Sequence, residues 1–399
     1  MEERTRVLLP LEADLTIQDV RDAKQRIGSR VHETPVMHSK TFDERATKAM
    51  RDRWGEDKVK GPLRVFFKCE NLQRGGAFKI RGALNKVLSL SPEERARGIV
   101  AFSSGNHAQA VAIAAKEAET VAFIAMPQDA PRAKLEATRG YGANVFLYDR
   151  MKDDREAFAR KLAEDNGGLV LVPPYDDPFI MAGQGTCALE LFDQISSCPV
   201  LSALSRGDPS RDRRREDEPH CSREINKNDH QPSPPSSSSS LSGGDQTRIL
   251  DAIVTPCGGG GLFAGCSTVA RALSPETMCF AVEAETANDT FMSLQKGERV
   301  CIDPPPTIAD GMRNQYPGKI TFPILQRTAT DVILVTDEEI VEAMKFLLFR
   351  MKLLVEPTGA ASVAAVLFGK LPPSVCSVGV VISGGNVDPE VLLSLLSSS

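Results

Sequence analysis

The sequence predicts an α/β fold in which parallel-rich sheets are flanked by helices. The first observation is a series of short, continuous apolar runs, which are typical of buried parallel strands. They are "LRVFFKC" (63–69), "GIVAF" (98–102), "VAFIAM" (121–126), "NVFLY" (144–148), "GLVLV" (168–172), "LDAIVT" (250–255), "CFAVEA" (279–284), "DVILVT" (331–336) and "SVGVVIS" (377–383). The second observation is that helical patterns separate most of these runs, for example 107–118, 154–165 and 337–351. Because parallel strands need crossover connections, this alternation predicts sheets covered by helices on both faces.

Length and charge limit the class of protein. The 399 residues, 41% of them hydrophobic and 25% charged, suffice for two domains or for one large body with an inserted lobe. The net charge of −5 has mixed signs and provides no basic surface for nucleic acid. No apolar run approaches the roughly 18 residues of a membrane span. We therefore expect neither a nucleic-acid nor a membrane partner. Glu2, Glu3 and Glu12 argue against a transit peptide, which favours a cytoplasmic location.

The nine cysteines contain no C-x-x-C pair, and several stand in apolar surroundings such as "VFFKCE" and "VTPCGGGG". This pattern predicts buried, reduced thiols and no zinc site. The segment 205–246 is different in kind: it is rich in serine, proline and charge, with few apolar residues. It buries too little surface to offset the entropy of ordering, so we expect a disordered surface insertion. A regulatory or phosphorylated loop is the alternative.

Lys79 stands in an apolar, glycine-lined turn, "GGAFKIRG" (75–82). A charged lysine normally seeks water, so two interpretations are open. Either the stem is buried while the tip reaches solvent, or the amine is a nucleophile that forms a Schiff base. The octapeptide by itself does not decide between them.

Four consecutive glycines, 258–261, follow the strand 250–255 and precede a helical pattern. Glycines let backbone N–H groups close around an anion, and a helix N-terminus adds a favourable dipole. A tight strand-to-helix turn is the alternative, but four glycines in a row are unfavourable for folding entropy unless the backbone must approach something closely. The stretch therefore predicts a phosphate-binding loop.

Two more polar loops follow predicted strands. "SSGNH" (103–107) opens a helix of small residues, and its hydroxyl and amide groups suit a carboxylate or a ring oxygen, although a simple helix cap is common there. "SGGN" (383–386) follows the last strand. Ligands of parallel sheets bind at such loops. Two such loops, together with the phosphate-binding glycine loop and one apolar-flanked lysine, indicate pyridoxal phosphate.

The chain resembles the fold-type II pyridoxal-phosphate enzymes, whose two-domain fold is like that of the tryptophan synthase β subunit. It is similar specifically to the serine racemase and threonine (serine) dehydratase family. The matching stretches are "KCENLQRGGAFKIRGALNKV", "SSGNHAQAVAIAAK", "GQGTCALEL", "GGGGLFAG", "AVEAETANDTF", "TIADGM", "MKLLVEPTGAASVAAVL" and "ISGGNVD". The resemblance covers residues 15–395 apart from the insertion.

This resemblance implies roles for individual residues. Lys79 is then the Schiff-base lysine, which Phe78 assists by packing against the cofactor ring. Ser104 is the acid/base group on the opposite face of the substrate. The resemblance also implies that Asn106 contacts the ring hydroxyl and that Ser383 contacts the pyridine nitrogen. The residues implied to bind the phosphate are Gly258, Gly259, Gly260 and Gly261. Those implied to bind the substrate carboxylate are Ser103, Ser104, Asn106 and His107. Glu283, the carbonyl of Ala287 and Asp289 match a divalent-cation site, and oxygen ligands suit Mg²⁺ or Ca²⁺.

The chain also departs from the family pattern. Ala77 stands where many relatives have serine, Asn314 stands where racemases tend to have serine, and Lys161 lies near a position where some have arginine. The last two differences bear on how the substrate carboxylate is held.

The resemblance implies a serine racemase that also eliminates water and ammonia from serine or threonine, beginning with removal of the α-proton. The alternative is a dedicated threonine/serine ammonia-lyase or a hydroxyaspartate dehydratase. A non-catalytic amino-acid or nucleotide sensor is a rival of another class, against which the intact Lys79 argues. The resemblance further implies a homodimer. We expect a large domain of residues 15–100 and 179–399 and a small domain of residues 101–178, with the cofactor between them.

Overall fold

A computed structural model of the chain describes residues 15–130, 132–149, 151–205 and 248–397. In these ranges the strands are β1 (Val36–His38), β2 (Arg64–Cys69), β3 (Ile99–Phe102), β4 (Ala122–Pro127), β5 (Asn144–Tyr148), β6 (Val170–Leu171), β7 (Ala252–Pro256), β8 (Met278–Ala284), β9 (Asp331–Val335) and β10 (Ser377–Ile382). The helices are α1 (Ile17–Ile27), α2 (Lys40–Trp54), α3 (Lys79–Leu88), α4 (Pro92–Arg97), α5 (Asn106–Glu117), α6 (Arg132–Gly140), α7 (Arg155–Asp165), α8 (Pro178–Ser197), α9 (Pro199–Ser205), α10 (Gly261–Leu273), α11 (Asp289–Lys296), α12 (Thr321–Thr328), α13 (Asp337–Phe346), α14 (Pro357–Leu367) and α15 (Pro389–Ser397).

The larger sheet has six strands in the order β1-β2-β10-β7-β8-β9. All neighbours are parallel except β1, which pairs antiparallel with β2. Alternate residues of β10 enter two cores: Val380 packs with α2, α13 and α14, and Val381 packs with α8 and α10. Burial on both faces explains why these strands read as continuous apolar runs and not as alternating ones.

The smaller sheet has four parallel strands in the order β5-β4-β3-β6. Its one face packs against α3 and α5, and its other face packs against α7. The sheet lies within residues 99–171. The division of the chain into domains 15–100 with 179–399 and 101–178 stays a prediction.

Some local expectations need correction. The helix expected over 337–351 ends at Phe346, and a single π-helical turn, Leu347–Met351, follows it before Lys352 takes a left-handed conformation. The strand expected over 168–172 is reduced to Val170–Leu171. The predicted insertion 205–246 lies outside the described residues except for Ser205, the last residue of α9.

Two long helices approach each other closely beside the larger sheet. A Cβ atom at Gly265 of α10 would lie 2.4 Å from the carbonyl oxygen of Met181 in α8, so only glycine allows this contact. α8 also packs against α3. The contact therefore fixes α3, and with it Lys79, relative to the glycine loop that begins α10.

A buried network of charges ties the same elements together. Arg81 of α3 donates to both carboxylate oxygens of Glu70, at 2.7 and 2.8 Å, and to both of Glu190 in α8, at 2.7 and 2.8 Å. Lys68 of β2 donates to Glu190 at 2.8 Å. Burial alone would raise the pKa of Glu70, but the Arg81 guanidinium outweighs burial and holds that pKa below its usual value. Two cations and two carboxylates thus neutralise one another.

The eight cysteines within the described ranges are free thiols, and Cys221 lies outside those ranges. Five of the eight are buried, as predicted, whereas Cys198 and Cys376 are partly buried and Cys301 is exposed. None of the helices described is both long enough and apolar enough to cross a membrane.

Candidate active site

A cleft of about 180 Å³ opens where β3, β7 and β10 end. Every residue predicted to contact the cofactor or the substrate lines it: Phe78, Lys79, Ser103, Ser104, Asn106, His107, Gly258, Gly259, Gly260, Gly261 and Ser383. These residues come from four separate stretches of the chain. The structure therefore brings the predicted set together in one place.

Lys79 is the first residue of α3, and the chain before it is pinned to the end of β10. The N–H of Phe78 donates to the carbonyl of Ser383 at 3.0 Å, and Ala77 pairs with Gly384. The Lys79 Nζ donates to the carbonyl of Pro174 at 2.6 Å. Burial lowers the pKa of Lys79 to about 8, against the opposing effect of Glu356. The amine is thus neutral, and nucleophilic, at a much lower pH than that of an exposed lysine.

The glycine loop joins the end of β7 to the start of α10. Gly260 has φ +88°, a left-handed conformation that strains other residues. A Cβ atom at Gly259 would lie 2.4 Å from the ring of Tyr175. The loop exposes backbone N–H groups at the N-terminus of a 13-residue helix, and that arrangement suits a phosphate group.

The loop before α5 presents two hydroxyl groups and an amide to the cleft. The Ser103 hydroxyl accepts from the N–H of Gly105 at 3.2 Å, whereas no described group bonds to the Ser104 hydroxyl. The Asn106 Nδ2 donates to Glu356 at 2.7 Å, and its Oδ1 accepts from Asn386 at 2.9 Å. This loop and the N-terminus of α5 can hold a carboxylate.

His107 is fixed as a neutral ring. Its Nε2 lies 2.9 Å from the carbonyl of Val172, so Nε2 carries the hydrogen, and no described group bonds to Nδ1. Burial, followed by the charge of Lys79, lowers the pKa of His107 to about 3. The ring therefore offers the cleft an acceptor rather than a charge.

Ser383 is buried, and its hydroxyl has no partner among the described residues. A hydroxyl at the end of β10 can donate to a ring nitrogen. Together with the amine of Lys79 and the glycine loop, this orphaned donor fits the pyridoxal phosphate predicted from the sequence. A serine carries no charge, so it would leave the ring a milder electron sink than a carboxylate would.

Sequence reasoning missed several residues of the cleft. Arg155, Lys134, Asp310, Tyr175 and Glu356 all line it, as does Asn314, which the sequence had marked as a departure. Lys161 does not: it is exposed and pairs with Asp165 at 3.1 Å.

Arg155, six positions before Lys161, is the basic residue of α7 that reaches the cleft. It is the first residue of that helix, where a cation is opposed by the helix dipole, and this unfavourable placement was the signal available in the sequence. Lys134 of α6 forms an ion pair with Asp310 across the cleft, and no carboxylate pairs with Arg155 among the described residues.

The three residues of the predicted cation site lie away from the cleft lining. Glu283, near the end of β8, accepts from the N–H groups of Thr290 and Phe291 at 3.0 and 2.8 Å. Asp289 begins α11, and neither of its buried carboxylate oxygens has a described partner. Burial raises the pKa of Asp289 to about 7, and burial with the Asp289 charge raises that of Glu283. No cluster of three or more histidine, cysteine or acidic side chains suited to a metal occurs in the described ranges, so any cation here also needs carbonyl or water ligands.

Comparison with known proteins identifies one family, and the similar proteins and structures agree with it. The model of a family described as pyridoxal-phosphate dependent enzyme matches residues 34–204 and 243–384. A serine racemase of Schizosaccharomyces pombe is 39% identical over 382 residues, covering 96% of this chain and 97% of the relative. An L-threo-3-hydroxyaspartate ammonia-lyase of Saccharomyces cerevisiae is 39% identical over 382 residues, covering 96% of each. The crystal structure of serine racemase from Dictyostelium discoideum, 36% identical, superposes with a TM-score of 0.72 and covers 94% of this chain and 100% of that one. The match confirms the predicted fold.

Proposed function

The chain belongs to the pyridoxal-phosphate dependent enzymes, as its motifs predict, and we propose that it racemises serine and eliminates water and ammonia from serine or threonine. The observation that carries the proposal is that an amine of lowered pKa, Lys79, and an unbonded hydroxyl, Ser104, line one cleft with the glycine loop. Racemisation needs one acid/base group on each face of the substrate, whereas elimination can start from one face.

Pyridoxal phosphate, when bound, supplies an electron sink for the charge left at Cα. The chain's own residues do the rest. The N–H groups of Gly258–Gly261 and the start of α10 would hold its phosphate, and the Ser383 hydroxyl would donate to its ring nitrogen. The loop of Ser103–His107 binds the substrate carboxylate, which orients the Cα–H bond. The Lys79 Nζ removes the α-proton, and Ser104 returns a proton to the other face.

The product mixture tests this proposal. L-serine incubated with the cofactor-loaded protein should yield both D-serine, seen by chiral chromatography, and pyruvate. If D-serine is absent while pyruvate forms, the protein is an ammonia-lyase and the racemase proposal is wrong. If the loaded protein has no visible absorbance band and no product, the non-catalytic alternative holds.

A second candidate is a hydroxyaspartate ammonia-lyase, the activity named for the yeast relative. Two cations, Lys134 and Arg155, line the cleft, and a substrate with a second carboxylate would have a partner there that serine lacks. Rates of product formation from L-serine, L-threonine and L-threo-3-hydroxyaspartate, compared as kcat/KM, separate the two candidates.

A divalent cation, Mg²⁺ or Ca²⁺, is part of the proposal. Its support is Asp289, whose two oxygens are buried without hydrogen-bond donors, next to the carboxylate of Glu283. Two close buried carboxylates repel each other, and a hard cation held by oxygen ligands relieves that repulsion.

A homodimer is also proposed. Its support is exposed apolar surface: Phe349 is 57% exposed, and Leu354 and Leu72 are each 46% exposed. The segments that carry Leu72 and Leu354 are adjacent, because Asn71 donates a hydrogen bond to the carbonyl of Leu354. Sedimentation equilibrium tests it, and Phe349→Glu should favour the monomer. The cytoplasmic location stays a prediction, for cell fractionation to check.

A further inference from the structure

Glu356 is a buried carboxyl group in the cleft whose bonds leave one oxygen free. It is 3% exposed, and its Oε1 accepts from the Asn106 Nδ2 at 2.7 Å. Its Oε2 has no partner among the described residues. Glu356 occupies the N-cap position of α14 but makes no side-chain cap bond there. The side chain therefore does not cap the helix, as an acidic N-cap residue usually does, and instead lines the cleft.

Burial favours the neutral form of Glu356. Burial, and after it the charge of Asp310, raise its pKa to about 8 against the opposing effects of Lys134, the bond from Asn106 and Lys79. A neutral carboxylic acid has one O–H to donate. No described protein group accepts from it, so an acceptor must come from a molecule in the cleft.

We propose that Glu356 is a further catalytic residue, the acid that protonates the β-hydroxyl of the substrate as it leaves during elimination. The inference rests on the proposed function. The Lys79 Nζ takes the α-proton, and the electron pair of the Cα–H bond forms the Cα=Cβ double bond. The Cβ–O bond breaks with its pair on oxygen, and that oxygen takes the proton of Glu356 and departs as water. The Lys79 ammonium then returns a proton to the Glu356 carboxylate, which restores both groups.

The two groups are matched for this exchange. Lys79 and Glu356 each appear among the influences on the other's pKa, and both pKa values are about 8. Groups with pKa values in this range can give up and accept protons near neutral pH, which is the condition for efficient acid–base catalysis. Racemisation breaks no C–O bond, so it does not need this acid.

Glu356→Gln tests the inference, because glutamine keeps an oxygen for Asn106 but has no acidic proton. Two substrates are compared: L-serine, whose hydroxide must be protonated, and L-serine O-sulfate, whose sulfate leaves without a proton. Pyruvate formation from L-serine should fall at least about 100-fold. Pyruvate formation from the O-sulfate and racemisation of L-serine should fall less than about tenfold. Equal losses for both substrates, or no loss from L-serine, would overturn the inference.

Asp310→Asn gives a graded comparison: it removes a charge that raises the pKa of Glu356 but leaves the acid in place, so it should lower pyruvate formation from L-serine less than Glu356→Gln does. Glu356→Asp, which keeps an acid, should retain more L-serine elimination than Glu356→Gln, and this second variant decides the matter if glutamine impairs folding. If Glu356→Asp eliminates no better than a folded Glu356→Gln, the acid role is wrong.

A measurement that does not depend on turnover tests whether Glu356 carries this proton. The infrared difference spectrum between the wild type and Glu356→Gln should show the carbonyl band of a neutral carboxylic acid at pH 6, and the band should disappear at pH 10. Its absence at pH 6 would overturn the inference even if elimination is slow in the variant. A wild type that acts on no hydroxy amino acid would instead refute the proposed function, whatever the infrared result.

Discussion

Replacing Arg81 by methionine should destabilise the protein strongly, because Arg81 is the centre of the buried charge network. Its guanidinium is fully buried and makes two hydrogen bonds with Glu70 and two with Glu190. Methionine fills much of the same space but leaves two buried carboxylates with one cation, Lys68. Removing one partner of a buried ion pair costs about 3–5 kcal/mol, mostly because the remaining charge is left uncompensated.

The melting temperature measures this loss. An unfolding entropy of about 2.1 cal/mol/K per residue, applied to 399 residues, gives about 0.8 kcal/mol/K. A loss of about 3–5 kcal/mol then lowers the melting temperature by about 4–6 °C. Calorimetry at one scan rate, on the cofactor-loaded wild type and variant, gives the difference directly.

The pH dependence has a definite sign. In the wild type the pKa of Glu70 is below its unfolded value, so its contribution to stability is present above that unfolded value and is lost as the pH falls. In the variant an uncompensated carboxylate has a raised pKa, so stability falls as the pH rises. The gap between the two proteins should therefore narrow towards pH 4.

The control is Arg132→Met, since Arg132 pairs with Glu136 but its side chain is 90% exposed. This substitution should leave the melting temperature unchanged, because exposed ion pairs contribute little. If Arg81→Met and Arg132→Met shift melting equally, the buried network does not stabilise the fold and the reasoning is refuted.

Three further predictions concern the site. Reconstitution of cofactor-free protein by pyridoxal phosphate should accelerate as the pH rises through about 8, where Lys79 loses its proton. A midpoint of this rate–pH curve near the pKa of an ordinary lysine would contradict the lowered pKa. Lys79→Ala should form no visible absorbance band with the cofactor. Ser104→Ala should lose D-serine formation from L-serine far more than pyruvate formation, and proportional losses would make Ser104 only a binding residue. Mg²⁺ at a hundredfold excess over its Kd should stabilise the wild type by about 2.7 kcal/mol, or about 3 °C, and Glu283→Gln should abolish most of this shift; equal shifts in both proteins would remove Glu283 as a ligand.

The sequence predicted the parts of the site that depend on local pattern. Gly258–Gly261 follow an apolar strand and precede a helix, and each step of that order is visible within about fifteen residues. The loops at Ser103 and Ser383 are visible in the same way. Because parallel strands end at one edge of a sheet, the meeting of the loops after β7 and β10 also followed from the predicted fold. The loop after β3 belongs to the smaller sheet, so its approach to the other two depends on how the two sheets pack.

The parts that depend on distant pairs were not predicted. Glu356 accepts a hydrogen bond from Asn106, which lies 250 positions away in the sequence. By itself, "VEPTG" looks like an ordinary acidic N-cap of a helix. Lys161 and Arg155 lie on one helix, and only the packing of α7 decides which of them faces the cleft. The three-residue β1 is too short for periodicity to reveal, and the π-helical turn after Phe346 has the same apolar pattern as a continuing helix.

The position of β10 in the larger sheet has a consequence for folding during synthesis. β10 is the last strand in the chain, yet it fills the middle of the larger sheet between β2 and β7, and its end holds the turn before Lys79 through the bond from Phe78 to Ser383. At a synthesis rate of about 5–20 residues per second, β10 leaves the ribosome on the order of 15–60 s after β2. Until β10 is made, β2 and, once it has been synthesised, β7 expose unpaired edges, and the turn before Lys79 lacks its hydrogen bond to Ser383. A nascent chain is therefore inactive until β10 has been made, and loss of β10 leaves two open edges that favour aggregation.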